Sequence, residues 1–334
     1  VSGPRDDRVL GVLHAMRKSD DRVADLESSQ KLLEGLVLRT TNASPIDRLL
    51  LALVYAELSK VQVNAADRDK YVDSARRQFN ELVVGRRPAA SHLAVYVRFL
   101  LEQKDTERSR EWLEKLEEIS PDAIVTLSLR ARWLHLKGQD ADIEPLVEAA
   151  AERLEEQLTT DEEKLNLMAA IGQVYAQADQ TESAQRWFKK LADGSSDRFA
   201  PLALSLARRE QMSEAVQLCL DAAAKDDSVR PGIVLANVLI SDGSFTPPPA
   251  ANELLRSVVA ANGDNVPLLM SVANLCVVQY NPTEEIRLYE QVERQRPDDP
   301  IVLNNLATLL AERNGRTAQA LKYIERAIAV AGPR

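Results

Sequence analysis

Met168–Leu191 reads MAAIGQVYAQADQTESAQRWFKKL. Its first half sets Ile171, Gly172 and Tyr175 as apolar, small and apolar. Its second half sets Ala184, Phe188 and Leu191 at steps of four and three. Such steps put all the members of a set on one helical face. The stretch therefore predicts two short amphipathic helices packed on each other. The small residue in each set is where the paired backbone comes close, and a larger side chain there would push the helices apart.

Both patterns recur along the chain. The second one returns at Ala75/Phe79/Leu82, Ser109/Leu113/Leu116, Ile143/Val147/Ala150, Ala215/Cys219/Ala222, Ala251/Leu255/Val258, Glu285/Tyr289/Val292 and Ala320/Ile324/Ala327. The first residues of successive sets lie 34, 34, 41, 31, 36, 34 and 35 positions apart. The first pattern precedes each set, for example at Leu51/Ala52/Tyr55, Leu202/Ala203/Leu206 and Leu306/Ala307/Leu310. At Arg130/Ala131/Leu134 it has an arginine in the first place. A fixed period of this length is the signature of stacked supersecondary units.

The punctuation agrees with that period. Ser44-Pro45, Ser120-Pro121 and Asp299-Pro300 read as an N-cap followed by proline at the first helical position. Thr160 with Glu163 reads as a capping box. Pro88, Pro231 and Pro297 fall between units, where they interrupt no helix interior.

On these residues the chain resembles the tetratricopeptide repeat family, whose period is 34 residues. Gly172, Tyr175, Ala184 and Phe188 occupy that family's signature places, and Pro121 and Pro297 its closing-proline place. The resemblance covers residues 45–333. It implies an all-α fold, a right-handed α-solenoid of antiparallel helix pairs wound as a superhelix. Residues 5–39 read as a degenerate first unit, on Leu10/Gly11 and Ser29/Leu33/Leu36. The whole of 1–334 is then one continuous array of about nine helix pairs.

Four places depart from the pattern. Glu285 stands where a small residue is expected, which predicts a splayed or shifted pair. Residues 57–74 are long for the period, so either the helices or a loop must be longer. Residues 151–161 read as a second helix extended by two turns. Phe245–Pro249 (FTPPP) forces an extended connector. The chain also begins without Met and closes on Gly332-Pro333-Arg334, a repeat boundary, which suggests that the natural protein continues.

Composition points the same way. Aromatic residues are only 4% of the chain, which favours helix over strand. The net charge of −9 argues against a partner that is nucleic acid or an anionic membrane surface. No run is long and apolar enough for membrane insertion. Cys219 and Cys276 sit at apolar places in different repeats and read as reduced, buried thiols, which fits the cytoplasm.

No enzyme is legible. His14, His92 and His135 have no His or Cys at the following third or fourth position, so no metal-binding helix face forms. No catalytic residues, cofactor site or phosphate-binding glycine loop is found. Asp161-Glu162-Glu163 and Asp298-Asp299 lie at helix starts, where carboxylates meet the positive end of the helix dipole.

What remains is a binding surface. In the tetratricopeptide family the first helix of each pair lines the concave groove. Applied to this chain, the residue after the small one faces that groove: Leu53, Arg98, Arg132, Gln173, Leu204, Asn237, Asn274 and Thr308. Three residues on come Ala56, Leu101, His135, Ala176, Ala207, Ile240, Val277 and Ala311. Arg98 and Arg132 suit a carboxylate. Gln173, Asn237 and Asn274 offer donors and acceptors to a peptide backbone. The expected partner-binding residues are thus Arg98, Arg132, His135, Gln173, Asn237, Asn274 and Thr308.

The expected function is a protein-interaction scaffold for an extended or helical, acidic peptide. Two alternatives stand beside it. One is the regulatory or substrate-presenting segment of a larger enzyme or signalling protein. The other is a structural repeat that forms a homo-oligomer through uncapped ends, where Leu321, Ile324 and Ile328 would be exposed.

Overall fold

The computed structural model describes residues 8, 12, 15, 22–39, 44–62, 64–84, 88–311 and 316–331. Among them are seventeen α-helices and no strand. The first is α1 (Arg22–Arg39). Eight pairs follow: α2 (Pro45–Val61) with α3 (Ala65–Val83), α4 (Ala90–Glu102) with α5 (Thr106–Ile119), α6 (Ile124–Leu136) with α7 (Ile143–Glu155), and α8 (Asp161–Gln177) with α9 (Thr181–Gly194). The series continues with α10 (Ala200–Arg208) and α11 (Met212–Ala223), α12 (Arg230–Ile240) and α13 (Pro249–Ala261), α14 (Val266–Val278) and α15 (Pro282–Gln295), α16 (Pro300–Ala311) and α17 (Thr317–Ala331). The chain divides into two compact units, residues 1–157 with 177–179 and residues 158–176 with 180–334.

The two sequence patterns are the packing surfaces. Ala52, Ala131, Ala203, Ala236 and Ala273 are all fully covered. A Cβ built on Gly172 would come within 2.4 Å of the Phe188 ring. The small place therefore sets the approach of α8 to α9. On α1 the second pattern is buried too, with Ser29 and Leu33 at 0% exposure. The Leu10/Gly11 motif, His14 and the final Gly-Pro-Arg lie outside the described residues.

Five first helices end in the same way. Lys104, Gly138, Asp179, Glu210 and Tyr280 all have positive φ, between 52° and 71°. The next residue's N–H then reaches back to a carbonyl in the last turn: Asp105 to Leu100, Gln139 to Leu134, Gln180 to Tyr175, Gln211 to Leu206 and Asn281 to Cys276, each at 2.9–3.0 Å. This is the left-handed C-cap, which glycine normally fills. In this tight turn it reverses the chain and makes the pair antiparallel. Only one of the five is glycine. A non-glycine residue in this region costs about 1–2 kcal/mol, and glycine in turn loses about 0.5–1 kcal/mol of chain entropy on folding. Tyr280 is 93% exposed, so removing its ring gives up almost no buried contact. Tyr280→Gly is expected to stabilise the C-terminal unit by about 0.5–1 kcal/mol, read as a rise in melting temperature.

Several expectations are corrected. Ser120 ends α5 and Pro121 lies in a turn; α6 starts at Ile124 behind Ala123, which has no side chain to cap it. Ser44 precedes Pro45 as expected, but its side chain makes no capping bond. The extra length of residues 57–74 takes the first of its two expected forms, longer helices, since α2 and α3 have 17 and 19 residues. Helix α7 stops at Glu155, short of the expected two-turn extension. Glu285 is buried at 6% exposure, and α14 still packs against α15, so that pair is not splayed.

Other expectations hold. The Thr160–Glu163 box closes in both directions, at 3.2 and 3.0 Å. Asp299 Oδ1 accepts from the Ile301 N–H at 3.0 Å. Cys219 and Cys276 are free and buried. Burial raises the Cys219 thiol to about 12, and burial together with nearby Glu284 and Glu285 raises Cys276 to about 11.

Candidate functional site

In the N-terminal unit, the first helices α2, α4 and α6 each carry exposed or partly exposed side chains. Leu53 is 40% and Val125 37% exposed. Arg98 projects into solvent from α4, and Arg132 is half-buried on α6, which packs against α4. Neither guanidinium has an ion-pair partner among the described residues. Their neighbour Arg130 behaves differently. It pairs with Glu117 of α5 at 2.6 Å and lies 5.2 Å from the Trp133 ring centroid. The arginine in the small-residue pattern is thus a bridge between repeats.

His135 is less free than its position suggested. Its Nδ1 lies 2.8 Å from Asp140 Oδ1, and its Nε2 lies 4.0 Å from Asp179 Oδ2. The ring braces the turn after α6 while staying at the edge of the face that carries Arg132.

In the C-terminal unit, Gln173, Asn237, Asn274 and Thr308 are all exposed, and Leu204 is half-buried. The Thr308 hydroxyl donates to the Asn304 carbonyl of its own helix at 3.1 Å. Asn274 is held from below. Asn305 Nδ2 donates to the buried Tyr289 hydroxyl at 3.0 Å, and that hydroxyl donates to Asn274 Oδ1 at 3.5 Å. The relay thus reaches Asn274 through its Oδ1, while the residue itself is exposed. Sequence reading missed it because Tyr289 fills the large apolar place of the pattern, where the ring packs and only the hydroxyl recognises a neighbour.

The residues three further on do not form the expected second wall. Ala56, Leu101 and Ala207 are buried at 6%, 1% and 5% exposure. A step of three turns the helix back by about 60°, which carries these side chains into the packed core. Val277 and Ala311 are exposed as expected, and His135, Ala176 and Ile240 are half-buried. On α17, Leu321 and Ile328 are 55% and 54% exposed and Ile324 is half-buried.

Among the described residues, no group of His, Cys, Asp or Glu is placed to hold a metal ion. No described helix is long and apolar enough to cross a membrane.

No protein-family model matches the chain, and no curated protein matches its sequence. Solved helical structures resemble it loosely. The crystal structure of yeast Tom70 is 12% identical with a TM-score of 0.43, covering 98% of this chain. The chain spans 64% of the length of Tom70. The human IFIT1 dimer with m7Gppp-AAAA is 15% identical over 93% of this chain and 79% of that one, with a TM-score of 0.33. The APC/C hetero-tetramer Cut9-Hcn1 is 13% identical over 98% and 87%, with a TM-score of 0.35. None of these reaches a TM-score of 0.5, and none bears on what this chain binds. By its own helix pairing and register, each unit is an all-α solenoid segment of tetratricopeptide-like helix pairs.

Proposed function

We propose that the chain is a protein-interaction scaffold, with no chemistry of its own, that holds an acidic peptide segment on its first-helix faces. The observation that carries this reading is the pair Arg98 and Arg132. They stand at equivalent places on adjacent, packed helices, Arg98 exposed and Arg132 half-buried, without carboxylate partners among the described residues. Guanidinium forks match carboxylates in a bidentate way. The partly exposed Leu53 and Val125 beside them would cover apolar side chains of the same segment. In the C-terminal unit, the exposed amides of Gln173, Asn237 and Asn274 would bond a peptide backbone, which offers both donors and acceptors. Affinity would be spread over shallow contacts on several repeats.

Selection of a displayed random-peptide library on the immobilised chain tests this reading. Enrichment of Asp and Glu is expected, and it should disappear when the selection is repeated on Arg98→Ala/Arg132→Ala. An enriched pool without acidic bias, or the same acidic pool on both proteins, would refute it.

A further inference from the structure

The other side of the N-terminal unit carries a separate feature. Between the second helices α3 and α5 lies an open cavity of about 410 Å³. Tyr96 of α4 forms its floor and Trp112 of α5 one wall. Three guanidiniums reach it, Arg76 and Arg77 from α3 and Arg108 from α5, together with the Asn80 amide. Arg76 and Asn80 are four apart, so they stack on one face of α3.

The local charges do not cancel. Arg108 pairs with Asp105 at 2.9 Å, while Arg76 lies 4.0 Å from the same carboxylate and 2.7 Å from Asp73. Asp73 is 66% exposed, so that pair is weak. Arg77 donates only to the Ser74 hydroxyl, at 3.1 Å, and meets no carboxylate among the described residues. Glu111 also lines the cavity but bonds Lys115 at 2.7 Å, and the Lys115 ammonium lies 4.1 Å from the Trp112 ring centroid. Four cations thus face three carboxylates, in a chain that is acidic as a whole. Arg76 Nε is shielded from water and has no acceptor. An orphaned buried donor calls for an explanation, and a missing ligand is one.

We propose that this cavity is a binding site for a phosphate monoester. A carboxylate has two oxygens, too few for the donors of Arg76, Arg77, Arg108 and Asn80. A phosphoryl group offers three, each able to accept from a guanidinium edge. Arg76 would leave the exposed Asp73 and turn its Nε–H toward the incoming oxygen. The Trp112 and Tyr96 rings flank the site with apolar surface for the carbon group that carries the phosphate. This site is independent of the acidic-peptide face, because Arg98 lies two residues from Tyr96 on α4, about 200° around the helix.

The test is a titration at constant ionic strength with inorganic phosphate, phenyl phosphate and acetate. It is followed by the Trp112 indole N–H resonance, assigned by its loss in Trp112→Phe. Phosphate is expected to give a saturable shift, phenyl phosphate to bind more tightly, and acetate about ten-fold more weakly than phosphate. Arg77→Ala/Arg108→Ala should weaken phosphate binding by about ten-fold or more with an unchanged melting temperature. Should that variant fold poorly, Arg77→Lys keeps the charge, removes the fork, and should lose most of the affinity. No saturable shift, a shift unaffected by the arginine substitutions, or acetate binding as well as phosphate would overturn the site. Equal affinity for phosphate and phenyl phosphate would overturn the monoester assignment.

Discussion

Phe79→Ala is expected to destabilise the N-terminal unit by about 3–5 kcal/mol. Phe79 has no exposed surface and belongs to α3. Its ring lies 5.4 Å from Tyr96 and 5.1 Å from Phe99, both on α4. Tyr96 in turn lies 5.7 Å from Trp112 of α5. One side chain therefore fastens the second helix of one pair to the first helix of the next. Truncation removes the transfer free energy of the ring and leaves a cavity that rigid helix stacking cannot close. In a repeat array, stability is a sum of unit terms and nearest-neighbour interfaces, so a broken interface is felt locally. Denaturant unfolding should show an early transition confined to this unit, with α14–α17 holding their helicity at that concentration. A single transition displaced by less than about 1 kcal/mol would mean that the aromatic contacts do not couple these pairs.

The second large effect concerns binding. Arg98→Ala/Arg132→Ala is expected to weaken an acidic peptide selected on the chain by about a hundred-fold, or about 3 kcal/mol, since hydrogen bonds to charged groups contribute about 1.5–3 kcal/mol each. Stability should hardly change, because Arg98 is exposed, Arg132 is only half-buried, and neither has an ion-pair partner among the described residues to lose. Added salt should weaken the wild-type complex and leave the residual binding of the variant nearly flat, because exposed charges are screened. A variant that binds like the wild type at low salt would remove both arginines from the site.

The pairing of helices was legible because packing writes itself into periodicity. Gly172 must be small under Phe188, and Ala52, Ala131, Ala203, Ala236 and Ala273 fill the equivalent, fully covered places, while α4 takes Val97 there. The turns were less legible. Lys104, Glu210 and Tyr280 adopt the conformation that glycine signals, and nothing in their side chains marks it; only Asp179 is of a type that tolerates it. Ser120-Pro121 misled because proline suits a turn as well as a first helical position. The open face was half legible. The residue after the small one is exposed from Leu53 to Thr308 except at Arg132 and Leu204, which are half-buried. The next row failed at Ala56, Leu101 and Ala207, where burial is decided by the neighbouring pair. The Asn305–Tyr289–Asn274 relay and the arginine cavity join residues from helices that are distant in sequence, and only the stacking of pairs brings them together.

The most direct measurement of the central claim is where a bound peptide lies. A photoreactive phenylalanine analogue can replace Leu53 or Val125 on the first-helix face, and Val84 or Ile119 at the ends of second helices. All four side chains are exposed, at 40%, 37%, 64% and 48%. A selected acidic peptide should cross-link from the first two positions and not from the last two. Cross-linking from Val84 or Ile119 alone, or equally from all four, would contradict a ligand held on the first-helix face.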